Sequence, residues 1–228
     1  MKIVLLSGLD GTGELFTPFI DALSSSIKVQ IISYDPNKEQ SYDELVKYVI
    51  SNLPKEDFVL LAESFSGIIA YQVALTKPKQ LKSLILVATF LENPRPILLK
   101  FIPNSKIFAL PIPTLFIRLF LLGFVTKVET INLFKKVIKK VSPNVIEYRL
   151  NEIAQLKSAH KKLDIKTTYI QASNDKLVLS SSLNSWQKVC TNIDVFQVTG
   201  SHLILQSNPK KCAEIVTKEV RLVFLLKD

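Results

Sequence analysis

The sequence predicts an α/β fold of about six mainly parallel strands with helices on both faces and an inserted helical segment. Three observations predict it. Short apolar runs alternate with stretches of helical spacing, the order expected of strands joined by crossover helices. The rhythm breaks once, between residues 90 and 163, where prolines interrupt a long apolar region and amphipathic stretches follow. Finally, Leu61-Ala62-Glu63-Ser64-Phe65-Ser66-Gly67 places a serine between small neighbours where an apolar run meets a helical pattern. A chain of 228 residues, 47% of them hydrophobic, can bury one sizeable core.

The first run, Lys2–Ser7, is cut by Ser7, Gly8, Asp10 and Glu14 too soon for a secretory signal and reads as a buried strand. The turn Ser7-Gly8-Leu9-Asp10-Gly11-Thr12-Gly13 follows it, then a helical pattern over Phe16–Leu23 and a second strand over Lys28–Tyr34. Ser41 and Glu44 form a capping-box pair ahead of a helix at Tyr42–Ser51. The third strand is Phe58–Glu63, the next helix Gly67–Thr76 and the fourth strand Ser83–Ala88. Glu129–Lys140 and Asn144–Ser158 are the amphipathic stretches of the insertion. Lys135, Lys136, Lys139 and Lys140 lie opposite Leu133, Phe134, Val137 and Val141, the pattern of a solvated helix face. Lys166–Ala172, Ser181–Val189, Asp194–Val198 and Pro209–Phe224 complete the series as strand, helix, strand and helix. The core is therefore expected over 1–89 and 164–228, and a helical cap over 90–163.

Within the cap, Ile97 to Val125 is the most apolar region. Lys100, Lys106 and Arg118 with Pro103, Pro111 and Pro113 keep every run in it too short to span a bilayer. It reads as a lid over an apolar pocket, or one that rests transiently on a membrane or protein partner, with Leu98, Phe101, Phe108, Leu115, Phe116 and Phe120 lining the pocket or packing the cap upon itself. Without a secretory signal or a spanning segment, the expected place is the cytoplasm. The net charge is +9, from 29 Lys+Arg against 20 Asp+Glu. The lysines are dispersed, aromatic residues do not alternate with them, and no helix-turn-helix or single-strand-binding signature appears, so nucleic acid is not the expected partner. The same charge fits an acidic protein, an anionic membrane face or a lysine-rich proteome. Cys190 and Cys212 fall in regions read as helical, lack ligand-like spacing, and are expected as buried free thiols.

The chemistry gathers around Ser64. A serine on a sharp strand-to-helix turn needs small residues two positions away on either side, and Ala62 and Ser66 meet that requirement in place of the usual glycines. Its hydroxyl needs a general base, and the base needs an acid to fix its tautomer. Of two histidines, His202 follows the last strand and opens at the carboxyl edge of the sheet, whereas His160 lies among the lysines of the cap. Asp175, directly after the preceding strand, is the expected acid; Asp164 and Asp194 are rivals at strand entrances, on the opposite edge. For the oxyanion, the backbone N–H of Phe65 is one expected donor, and that of Leu9 in the first turn the other. Gly8, Gly11 and Gly13 lack the G-x-G-x-x-G spacing of a dinucleotide loop. Neither a cofactor nor a metal is expected.

Taken in order, the first turn, the Ser64 elbow, the Asp175 loop and the His202 loop resemble the α/β-hydrolase superfamily over nearly the whole chain. The departures are the absence of the usual N-terminal hairpin, Ser7 where many members carry histidine, and Ala62 in the elbow. Among compact capped members the chain is similar to carboxylesterases, including those that demethylate pimeloyl-acyl-carrier-protein methyl ester in biotin synthesis. That resemblance implies ester cleavage through an acyl-enzyme, on a small-molecule or carrier-bound acyl ester, with an acidic acyl carrier protein as a candidate partner. A thioesterase, a lipase and a non-catalytic binding module of the same fold are the alternatives.

Overall fold

The computed structural model describes residues 1–102, 104–158 and 160–225; Pro103 and the side chain of Leu98, both part of the cap expectation, lie outside the described residues. Six strands, β1 (Lys2–Leu6), β2 (Lys28–Ile32), β3 (Phe58–Glu63), β4 (Leu81–Val87), β5 (Thr167–Ala172) and β6 (Ile193–Val198), form one sheet. Their order is β2-β1-β3-β4-β5-β6, and each neighbouring pair is parallel. Helices α1 (Thr17–Ala22), α2 (Tyr42–Ser51) and α3 (Gly67–Leu75) follow the first three strands in turn. Between β4 and β5 lie α4 (Ser105–Phe108), α5 (Thr114–Phe116), α6 (Val128–Ile138) and α7 (Pro143–Ala154). Helix α8 (Ser182–Val189) follows β5, and α9 (Ile204–Ser207) and α10 (Pro209–Leu225) follow β6.

A parallel strand covered on both faces is apolar at successive positions rather than alternate ones, and β3 is buried along its whole length. Successive side chains divide between two cores. Ile3, Leu5, Val59, Leu61, Ile85 and Val87 pack with Phe19 of α1 and with Cys212, Val216 and Val220 of α10. Val4, Leu6, Leu60, Ala62, Leu84 and Leu86 pack with residues of α2, α3 and α8, including Leu45, Ile69 and Trp186. The chain leaves β1 toward β2 on one side and returns to β3 on the other, so strand order reverses between β1 and β3, the switch point at whose carboxyl ends open α/β sheets bind ligands. This is the α/β-hydrolase fold.

Element ends deviate from the sequence reading by one or two residues, except that α7 stops at Ala154, four residues short of Ser158. Strand β2 stops at Ile32 because Tyr34 turns inward, its N–H bonded to the Gly11 carbonyl at 2.7 Å. Strand β4 begins at Leu81, paired with Phe58 ahead of a register shift, and ends before Ala88, which sits at φ 45°. The capping box of α2 is formed in both directions, Ser41 N–H to Glu44 Oε2 at 2.8 Å and Glu44 N–H to Ser41 Oγ at 3.3 Å. Both cysteines are free and buried, but Cys190 closes α8 rather than lying within it.

The chain from Thr89 to Leu163 is helical in pieces. Besides α4 to α7 it holds a 3-10 turn at Leu98–Phe101 and a π-helical turn at Ile117–Leu122. Ile117, Leu122, Ile131, Phe134 and Val137 form a small core of their own against Leu15 and Leu203, while Val141, Val145 and Ile146 form another. Of the residues expected to line a pocket or pack the cap upon itself, Phe101 is 79% exposed, Leu115 66% and Phe116 44%, and Phe108 and Phe120 are half-buried. Among the described residues no helix is long and apolar enough to cross a membrane.

Candidate active site

Ser64 follows β3 at φ 51°, a backbone conformation that costs a residue with a Cβ and holds its side chain above the sheet edge. The turn is locked from several sides. Thr89 donates its hydroxyl to the Ser64 carbonyl, and Ser66 donates its hydroxyl to the Ser7 carbonyl at the end of β1. With the Ser66 proton so used, Tyr34 is the donor in its 2.7 Å bond to Ser66 Oγ. The position that cannot carry a side chain is Gly67, where a Cβ would lie 1.8 Å from Thr89 Oγ1. Ala62 and Ser66 are therefore accommodated, and Ser66 also ties the elbow to the turn after β1.

The loops after β5 and β6 continue the sheet ladder beyond its last paired residues, with Ser173 N–H bonded to the Val198 carbonyl and Asn174 N–H to the Gly200 carbonyl, each at 2.9 Å. That extension brings Asp175 to His202. Asp175 Oδ2 lies 2.8 Å from His202 Nδ1, and His202 Nε2 lies 2.8 Å from Ser64 Oγ. The other carboxylate oxygen, Oδ1, accepts the N–H groups of Leu177 and Val178 at 2.9 and 2.8 Å. An Nδ1–H given to Asp175 leaves the Nε2 lone pair to accept from the serine hydroxyl. All three side chains are buried or nearly so. Burial opposes charge on His202, but the Asp175 charge, its hydrogen bond and the Glu63 carboxyl outweigh that and raise the imidazole above its ordinary pKa of 6.5.

The other sequence candidates lie elsewhere. His160 is exposed. Asp164 accepts from Thr191 Oγ1 at 3.0 Å, and Asp194 is ion-paired with Lys166 at the start of β6. In the first turn Gly8 rests against the serine, and a Cβ there would be 3.7 Å from Ser64 Cβ. The Gly8 carbonyl accepts Gly11 N–H at 3.2 Å, and in a planar trans peptide the Leu9 N–H then points the opposite way. Phe65, fully buried and stacked on Tyr42 at 4.7 Å, fixes the peptide after the nucleophile position.

Two groups were missed from the sequence. Arg149 of α7 is fully buried; its Nη1 donates to the carbonyls of Leu9 at 2.8 Å and Asp10 at 3.0 Å, and its Nη2 to that of Asp35 at 3.2 Å. A Cβ on Gly11 would strike that guanidinium at 2.7 Å. The signal was present, because Val145, Ile146, Arg149 and Ile153 recur at helical spacing and place an arginine in an apolar stripe. The second is Glu63, buried beneath the serine: Gln206 Nε2 donates to its Oε2 at 3.1 Å, while Oε1 has no partner among the described residues. Burial pushes this carboxyl up to about 7, against the pull of Gln206 and His202.

The six-stranded parallel sheet with its reversal between β1 and β3 and the Ser64, His202 and Asp175 side chains gathered at its carboxyl edge define a chain of α/β-hydrolase fold. Solved structures repeat it over nearly full length. A lipase-esterase related protein from Clostridium acetobutylicum ATCC 824 is 18% identical at TM-score 0.80, covering 96% of this chain and 93% of that one. MenH from S. aureus is 16% identical at TM-score 0.79, covering 98% and 94%. The type II thioesterase BorB from the borrelidin biosynthetic cluster is 14% identical at TM-score 0.72, covering 96% and 92%. In sequence, the pimeloyl-[acyl-carrier protein] methyl ester esterase of Aliivibrio salmonicida (strain LFI1238) is 32% identical over 93 residues. That match takes in 38% of this chain and 35% of the relative, so it spans about a third of the relative's length. No family model matches the chain.

Proposed function

We propose that this chain is a cytoplasmic serine hydrolase that cleaves carboxylic esters through an acyl-enzyme. The observation that carries the reading is the unbroken relay of two 2.8 Å contacts, Ser64 Oγ to His202 Nε2 and His202 Nδ1 to Asp175 Oδ2. Ser64 attacks the acyl carbonyl as His202 takes its proton. Asp175 holds the imidazole in the tautomer that can accept and stabilises the imidazolium formed. The Leu9 and Phe65 N–H groups receive the developing oxyanion. His202 then protonates the departing alkoxide, and water, deprotonated by the same imidazole, releases the acid. Residues 90–163 act as the lid over this site. The substrate placed first is a carrier-bound methyl ester, supported by the partial likeness to the pimeloyl-acyl-carrier esterase and by a net charge of +9, which suits an acidic carrier. A thioesterase of the same machinery is the second reading, supported by the type II thioesterase among the solved neighbours; competition between matched ester and thioester substrates separates the two.

The test is covalent. A fluorophosphonate is expected to add to the peptide that contains Ser64 in the native chain and to leave Ser64→Ala unmodified. Labelling of equal extent in both, or in neither, would remove the assignment.

A second expectation concerns pH. His202 must be neutral to act as base, so kcat/KM rises with pH through its raised pKa. The Glu63 carboxylate favours the imidazolium and so holds that limb at higher pH. In Glu63→Gln the negative charge is gone while the side-chain shape is kept, and the acid limb of kcat/KM is expected to move to lower pH. A profile from pH 5 to 9 that superimposes on the native one would show that Glu63 does not reach His202 electrostatically.

A further inference from the structure

Of the fifteen large hydrophobic side chains that stand exposed among the described residues, nine come from one stretch: Ile97, Phe101, Ile107, Leu110, Leu115, Phe116, Phe124, Val125 and Val128. The exposure is pronounced at the tips, 79% for Ile97 and Phe101, 61% for Phe124 and 98% for Val125. From Asn93 to Val128 the sequence carries five basic residues, Arg95, Lys100, Lys106, Arg118 and Lys127, and no acidic one. The stretch is anchored by Ile117 and Leu122, buried on Ile131 and Phe134, and by the half-buried Phe108 packed beside Val141 and Val145. Arg118 ties its last turn by donating to the carbonyls of Phe124 at 2.6 Å and Thr126 at 3.3 Å. The apolar tips are thus held out to solvent by packing behind them. The same stretch touches the site: Leu203 N–H, next to His202, bonds to the Leu121 carbonyl at 2.8 Å, and Gly123 lies against Ser201.

We propose that the exposed side chains of residues 97, 99–102 and 104–128 are an interfacial face that seats the chain on an anionic bilayer, on the side of the molecule where Leu121 and Gly123 meet the His202 loop. Separate protruding apolar side chains interspersed with the exposed Lys100, Lys106 and Lys127 suit a fluid lipid surface, where each tip enters the acyl region and each lysine meets a headgroup phosphate. A folded protein would need a matching set of pockets for the same tips. The attachment is to the surface, because no helix among the described residues can span the membrane. Acyl substrates dissolved in the bilayer then reach Ser64 without crossing water, a consequence that rests on the hydrolase reading; the binding itself does not.

The experiment is flotation of the Ser64→Ala chain with vesicles of phosphatidylcholine alone or with 30% phosphatidylglycerol, so that binding is read without turnover. The expected result is a partition coefficient about ten-fold higher on the anionic vesicles, falling steeply in 1 M NaCl as charges are screened. Replacing Phe101, Phe124 and Val125 together with serine is expected to lower it by about ten-fold or more. The pair Lys100→Glu and Lys127→Glu is expected to abolish the preference for anionic lipid. Each substitution alters an exposed side chain, and far-UV circular dichroism checks that the fold is kept. Three results would overturn the proposal: native binding to neither vesicle; equal binding by the serine variant; or loss, in the charge-reversed pair, of binding to a soluble acidic carrier protein while vesicles bind nothing.

Discussion

Ser64→Ala is expected to lower kcat for p-nitrophenyl butyrate by about 10^6-fold, and Asp175→Asn by about 10^4-fold, with KM changed little in either. The two values differ for a physical reason. Alanine removes the atom proposed to form the acyl bond, and on that reading what remains is whatever the oxyanion donors and binding give to attack by water. Asparagine removes no reacting atom. It offers an amide N–H where His202 Nδ1–H now points, so the imidazole turns to the tautomer whose Nε2 carries the proton and cannot accept one from Ser64. The Asp175 position is held by the N–H groups of Leu177 and Val178 on Oδ1, and an asparagine carbonyl can keep those bonds. The loss should therefore appear in kcat without a change of fold, and thermal melts of the two variants should match the native chain to within a few degrees. Equal rates in native and Ser64→Ala chains would end the serine mechanism. A loss in Asp175→Asn below ten-fold would reassign the carboxylate to holding its loop.

Much of the architecture could be read before any coordinates because the residues involved obey local rules. A strand covered on two faces must be apolar at successive positions, and Phe58 to Ala62 can do little else. Ser64, Asp175 and His202 stood out for another reason: each follows an apolar run, and the ends of parallel strands share one edge. The Glu129–Lys140 stretch was legible as a helix because Ile131, Phe134 and Val137 repeat at its period. What could not be read depends on contacts distant in sequence. Nothing near Ser66 announces that its hydroxyl will meet the carbonyl of Ser7 and the hydroxyl of Tyr34. The pieces between Leu98 and Leu122 are three to six residues long, shorter than the window over which a hydrophobic period is defined, and prolines divide them. Composition there showed how apolar the stretch is, but composition carries no direction. Ile117 and Leu122 face inward because Ile131 and Phe134 of α6 cover them, while Phe101 and Val125 face solvent.

Arg149→Met is expected to destabilise the fold by about 3 kcal/mol and to lower kcat by about 10^2-fold. The guanidinium is the partner of three backbone carbonyls, two of them at Leu9 and Asp10 in the turn after β1. Hydrogen bonds from a charged donor contribute about 1.5 to 3 kcal/mol each, and methionine leaves the buried carbonyls without a donor. Part of that loss is returned because a cation no longer has to be desolvated, the effect that lowers the Arg149 pKa. At this chain length the net loss corresponds to a fall in melting temperature of about 6 to 12 °C. The effect on rate follows from geometry. Arg149 holds the carbonyl of Leu9 from one side while Gly11 N–H holds that of Gly8 from the other, and together they fix the peptide whose N–H is proposed to receive the oxyanion. Releasing one side lets that N–H swing from its direction, and a single misplaced donor lowers kcat by about 10^2- to 10^3-fold with little effect on substrate binding. Arg149→Lys, with one point charge in place of a fork, should recover part of the stability and less of the rate. A melting temperature that falls while kcat stays within two-fold of native would make Arg149 a tie between α7 and the sheet with no part in positioning the oxyanion turn.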